Sequence, residues 1–310
     1  MSVERGAIGR WVSADAEREY MGLDEALRHE AWQRLCEQGW QTVPSEADIE
    51  TRFGSTRVYR WAGTGVPLVL LHGSGTSSLM WTPLLAQLIG RSVCALDTIG
   101  DPGASVQRAP MRDRNDLASW LDQVLDGLQL ERVHLLGASY GGWIGLNHAR
   151  RSPERVATLM LLDPVLEKIR PMFFVHGIAC GIALLLPAPM RRWAARRLHM
   201  NALATDDKRI RRWGFLGQAK YRRGAPTFVP LTNEELASIT APTLLLLAEE
   251  SQVHRSRPLL ARARSAIPRV EAELIAGVGH AFPVDQPEEI GPRIRAFLDL
   301  HAPNAHTEHR

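Results

Sequence analysis

"HLLGASYGGW", His134–Trp143, reads as an apolar run, a glycine-bounded corner and the first turn of a helix. The corner is Gly137-Ala138-Ser139-Tyr140-Gly141, a G-x-S-x-G pattern. Small residues around a serine let backbone segments approach closely. They hold it at a sharp strand-to-helix turn, with its hydroxyl raised at the sheet edge and the positive helix N-terminus behind it. The same pattern occurs in plain strand–turn–helix corners, so the flanking strand and helix are what mark Ser139 as a candidate nucleophile.

Outward from this corner the chain keeps one rhythm. Apolar runs at 66–73, 91–97, 132–139, 156–164, 241–249 and 270–277 alternate with helical patterns near 112–128, 140–151, 256–267 and 286–300. Two further runs, "DIETRFG" (48–54) and "TRVYRWAG" (56–63), read as a hairpin. Continuous apolar strands alternating with helices predict an α/β fold, a mostly parallel central sheet with helices on both faces. Residues 14–38 have helical spacing and form an N-terminal extension over 1–45. The core spans 46–165 and 239–302, and the polar tail covers 303–310. Residues 166–238 contain no convincing strand and read as a helical cap inserted between two core strands.

Composition sets limits. The chain has 310 residues, 45% hydrophobic and 23% charged, with a net charge of +3. That charge is too small to imply a nucleic-acid partner. Cys36, Cys94 and Cys180 lack paired spacing, which points to a reducing, cytoplasmic setting. The first twenty residues carry acids and no apolar centre, unlike a secretory leader. The most apolar stretch, "PMFFVHGIACGIALLLPAPM" (171–190), has about 15 residues between its bounding prolines, short of a membrane span. It is expected to be buried or to line a pocket over Ser139 from Phe173 to Leu186. From Glu167 to Arg223 basic residues far outnumber the acids Glu167, Asp206 and Asp207. An apolar and basic lid suits a small-molecule ester with an apolar acyl part and an anionic group or carrier, although a solvated basic helix face has the same composition. No metal site is read from the chain, and its oligomeric state is not legible.

Two more stretches carry chemistry. "VLLHGSGTSSLMW" (69–81) turns at His72-Gly73 after a strand, where the backbone N–H of Ser74, paired with that of Tyr140, can form an oxyanion hole. His72 itself reads as structural. "IAGVGHAFPVDQPEEI" (275–290) puts His280 in a loop after a strand, late in the chain, where a general base is expected.

Together with "ETRFGSTRVYRWAG" (50–63) and "ALDTIGDPGAS" (95–105), these stretches resemble the α/β-hydrolase superfamily, and within it the bacterial carboxylesterases of the naproxen esterase group. The resemblance implies an α/β-hydrolase fold with a helical cap, and ester hydrolysis by a serine esterase through Ser139, His280 and the donors at Ser74 and Tyr140. It implies no cofactor. It also exposes a departure. Aligned on the family pattern, "PTLLLLAEES" (242–251) puts Ser251 where relatives carry the acid of the catalytic triad. Glu250 lies one residue earlier on the same loop. Asp163 ends the preceding core strand, where several haloalkane dehalogenases place their acid. Asp97 reads as structural. Both Asp163 and Glu250 therefore stand as candidate acids, with Asp163 favoured because a strand end holds a carboxylate more rigidly than a loop. If neither serves, the fold could run a cyclisation, elimination or acyl transfer instead, or act as a non-catalytic binding module.

Overall fold

The apolar runs become the strands of one sheet because each must bury both faces. The computed structural model describes residues 44–101, 103–204 and 224–302. The strands are β1 (Ser45–Thr51), β2 (Gly54–Trp61), β3 (Thr64–Leu71), β4 (Arg91–Leu96), β5 (Val106–Gln107), β6 (Val133–Ala138), β7 (Val156–Leu162), β8 (Thr243–Ala248) and β9 (Val270–Ile275). Their order is β1-β2-β4-β3-β6-β7-β8-β9, and the two-residue β5, which no sequence signal announced, pairs with β2. β1 and β2 form the expected antiparallel hairpin. From β4 to β9 every neighbouring pair is parallel.

The longer helices are α1 (Arg114–Gly127), α2 (Tyr140–Arg151), α3 (Pro171–Leu184), α4 (Ala188–Arg197), α5 (Ser256–Ala266) and α6 (Pro287–Leu300). α1 starts where the Asp113 side chain accepts the N–H groups of Asn115 and Asp116, which would otherwise lack partners. α6 opens on Pro287, whose missing N–H costs nothing at a first turn.

Alternation along the strands builds two cores. Val69, Leu71, Leu135, Leu159 and Leu245 face Trp120, Trp143 and Leu259 of α1, α2 and α5. Leu68, Leu70, Leu136, Met160 and Leu244 face Trp81, Leu84, Ile294 and Phe297, the last two from α6. Helices on both faces thus keep the parallel strands away from water.

Between β7 and β8 the described residues are helical or irregular. α3 and α4 pack on each other through Cys180, Ala183, Ala194 and Ala195. The apolar run in α3 was expected to be buried or pocket-lining. Only one of its sides is: Phe174, Val175, Ile178 and Ile182 are exposed. The reason is the small contact α4 offers, which covers no more than the Cys180–Ala183 side. The helix expected over 14–38, the tail 303–310 and the basic residues 205–223 lie outside the described residues.

Gly141 is the tightest point of the corner. A Cβ there would stand 2.0 Å from the Leu71 carbonyl oxygen, so any side chain forces β3 and α2 apart. Gly141→Ala should lower stability by about 1–3 kcal/mol. A urea titration followed by tryptophan fluorescence would register this as a lower midpoint at unchanged slope.

Candidate active site

Ser139 sits between β6 and α2 with φ +53° and ψ −116°, a region that side chains rarely occupy. The corner is over-determined. The Ser139 N–H donates to the Leu162 carbonyl at 3.0 Å, and its own carbonyl accepts from Val165 at 3.1 Å and Trp143 at 3.3 Å. This network holds Oγ at the C-terminal edge of the parallel strands.

His280 reaches that edge from the loop after β9. Its Nε2 is 3.0 Å from Ser139 Oγ, and its Nδ1 is 2.6 Å from Asp163 Oδ2. With Nδ1–H donated to the carboxylate, Nε2 is left to accept the serine proton. The Gln252 side chain accepts the His280 backbone N–H at 3.2 Å, and the Phe173 ring stands edge-on to the imidazole with centroids 5.7 Å apart.

Asp163 lies just past β7, fully buried, with φ +45°. Its Oδ1 accepts the Ala248 N–H at 2.9 Å. His254 Nε2 lies 3.0 Å from the same oxygen but is too far off line for a well-formed hydrogen bond. Besides His280, Oδ2 accepts the Ser251 hydroxyl at 2.6 Å. Burial pushes the carboxyl pKa up, but the hydrogen bond from His280 and the nearness of the His254 and His280 imidazoles outweigh it and hold it well below the usual carboxylate range.

Glu250, the other candidate acid, does not meet His280. Its carboxylate is 55% exposed and lies 3.4 Å from His199 Nε2. The loop after β8 turns that side chain outward while Ser251 points inward. Ser251 serves there as a hydrogen-bond donor to Asp163.

The first glycine-rich loop packs against the same serine. A Cβ on Gly73 would lie 3.4 Å from Ser139 Cβ, which sets Ser74 next to the nucleophile's rim. Asp101 Oδ1 accepts the Gly75 N–H at 3.1 Å, tying this loop to the one after β4. Asp97 is buried and accepts Ser78 N–H, Ser78 Oγ–H and Ala104 N–H, so it is a structural anchor, as is His72, whose Nε2 accepts the Thr98 N–H. Tyr140 is at the first residue of α2, with its phenol donated to the Pro226 carbonyl at 2.7 Å.

Comparison with known proteins gives the family. The model of the "Alpha/beta hydrolase family" matches residues 68–292. The chain belongs to that family. An uncharacterized carboxylesterase, nap, of Bacillus subtilis (strain 168) is 33% identical over 264 residues, covering 81% of this chain and 85% of the relative. The carboxylesterase YbfK of the same organism is 31% identical over 292 residues, covering 90% and 96%. The crystal structure of naproxen esterase from Bacillus subtilis superposes with a TM-score of 0.75 at 28% identity, covering 89% of this chain and 98% of the other.

In this α/β hydrolase, sequence reasoning missed the parts of Ser251, His254 and Asp101. Each acts across a long sequence separation, and no local spacing announces such a partner. The buried carboxylate has a measurable signature. A group held below its ordinary value of 3.8 stabilises the fold above that pH, and the stabilisation disappears as pH falls from 3.8 toward the lowered value. Wild-type denaturation midpoints should therefore fall more steeply than those of Asp163→Asn as the pH is lowered from about 5 to about 3. Parallel slopes in that window would mean the carboxylate titrates normally.

Proposed function

We propose that the protein is a serine hydrolase of carboxylic esters. The observation that carries this reading is the hydrogen-bonded chain from Ser139 Oγ through His280 to Asp163, at 3.0 and 2.6 Å. Ser139 Oγ attacks the ester carbonyl as His280 Nε2 takes its proton. The N–H groups of Ser74 and Tyr140 receive the developing oxyanion. The tetrahedral species collapses, the alcohol leaves with the proton from His280, and the acyl group stays on Ser139. Water, deprotonated by His280, then releases the acid and frees the serine. Throughout, Asp163 keeps the imidazole in one tautomer and stabilises its protonated form.

The carboxylesterase names of the relatives support the substrate class. Residues 166–238 form the cap of this reading, inserted in a core of 46–165 and 239–302. Phe173 gives the acyl part an apolar wall beside His280, which suits a small ester with an apolar acyl group. The free, buried thiols of Cys94 and Cys180 fit a cytoplasmic setting. The reading as a cyclase, lyase or acyl transferase rested on the serine at 251. The Asp163 carboxylate at His280 supports hydrolysis over that reading.

Turnover of p-nitrophenyl acetate tests the assignment. Ser139→Ala and His280→Ala should each lower kcat by about 10⁶, and Asp163→Asn by about 10⁴ with KM nearly unchanged. Glu250→Gln should stay close to wild type. A fluorophosphonate should label wild type and spare Ser139→Ala. A large loss in Glu250→Gln with Asp163→Asn unaffected would move the acid back to the loop after β8.

A further inference from the structure

We infer that the outer face of the α3–α4 pair is a docking surface for an anionic phospholipid bilayer. The face is apolar to an unusual degree. Phe174 is 61% exposed, Ile178 66% and Leu185 71%, with Val175 and Ile182 between them. The stripe extends to Met190 and Trp193, 56% exposed, on α4. Contiguous exposed apolar surface in a soluble domain marks a contact site.

This stripe is separate from the proposed catalytic centre. A helix turns 100° per residue. Phe173, which meets His280, shares one side of α3 with Cys180 and Ala183, which pack on α4. On that same wheel Phe174, Ile178, Ile182 and Leu185 cluster on the opposite side, so no acyl group bound at Ser139 covers them.

Charge selects the occupant. From Lys168 to Ala204 the sequence contains no aspartate or glutamate. Arg170 at the start of α3 and Arg196 and Arg197 on α4 are exposed. The Arg197 guanidinium lies 5.7 Å over the Trp193 ring. An apolar stripe with an indole and arginines at its margin is the composition of a helix lying in a membrane interface, the ring at headgroup depth and the cations on phosphate. A second copy fits less well, because pairing two such faces would bring arginines together with no carboxylate in either segment. No helix among the described residues is long and apolar enough to span a bilayer, so the contact is peripheral.

The test is co-sedimentation of the full chain with vesicles of equal parts phosphatidylglycerol and phosphatidylcholine, beside vesicles of phosphatidylcholine alone. Binding should require the anionic lipid and weaken as salt rises. Ile178→Glu and Ile182→Glu should each weaken it by about tenfold or more, and Arg197→Glu should weaken it and flatten its salt dependence. All three should hydrolyse soluble p-nitrophenyl acetate at the wild-type rate, which also reports that they fold. The proposal is overturned if the wild type stays in the supernatant with anionic vesicles, as it would were residues 1–43 seated on the stripe. It is equally overturned if binding survives both isoleucine substitutions. A concentration-dependent dimer that Ile178→Glu disperses, with no vesicle binding, would assign the face to a second copy instead.

Discussion

A fully buried carboxylate is tolerable only when its lone pairs are met by donors, because an unpaired charge in a protein interior is strongly unfavourable. Asp163 meets that demand with hydrogens from three parts of the chain. Ala248 comes from the end of β8, Ser251 from the loop beyond it, and His280 from the loop after β9, while the His254 ring stands 3.0 Å from Oδ1. The need to satisfy one anion therefore fixes the relative positions of three strand ends. The geometry of His280 follows, since its ring plane is set by the Oδ2 contact before any substrate arrives.

The opposite side of the serine depends on a second set of buried acids. Asp97 gathers N–H groups from residues 78 and 104, and Asp101 gathers that of Gly75. These bonds stiffen the glycine-rich loop whose conformation its sequence alone would leave open. Gly103 has no room for a side chain, because a Cβ would meet the Asp97 carboxylate at 2.6 Å. The stretch 95–105 therefore reads as scaffold for the neighbouring loop. Under the proposed mechanism its task is to keep the Ser74 N–H still while charge develops at the oxyanion, where a preorganised donor acts without reorganisation.

Much of this was legible in the chain because it is local. Most strands from 66 to 277 announce themselves as apolar runs, β9 with Glu271 and Glu273 between its apolar residues, and the corner at Ser139 needs glycines that stand within two residues of it. His280 was legible from its order in the chain and from the turn before it. For the proposed acid the sequence favours Asp163 through the rigidity of a strand end, but the placing of Glu250 depends on which way a loop turns after Ala248. Ser256 donates to the Ala248 carbonyl, and the Glu250 N–H donates to that of Val278, which carries the Glu250 side chain outward. The exposed side of α3 escaped for a related reason. Composition says that a segment is apolar, whereas burial depends on what the rest of the chain sets against it.

Ser251 and Asp163 form one hydrogen-bonded unit. Two carboxylates in contact with one imidazole nitrogen would repel, and in a dry site one of them would take up a proton. A serine avoids this and does more. Its hydroxyl donates to Oδ2 at 2.6 Å while its oxygen accepts the Val253 N–H at 3.2 Å. The loop thus makes a polar contact with the site without bringing a second charge to it. The imidazole requires a negative oxygen at Nδ1, held on a rigid support. The end of β7 meets that requirement as well as the loop after β8 does, because adjacent parallel strands deliver their ends to the same edge. Position in the chain is therefore a weaker constraint on the acid than on the nucleophile. The proposed nucleophile needs a strained strand-to-helix corner, which Ser139 occupies with φ +53° and ψ −116°.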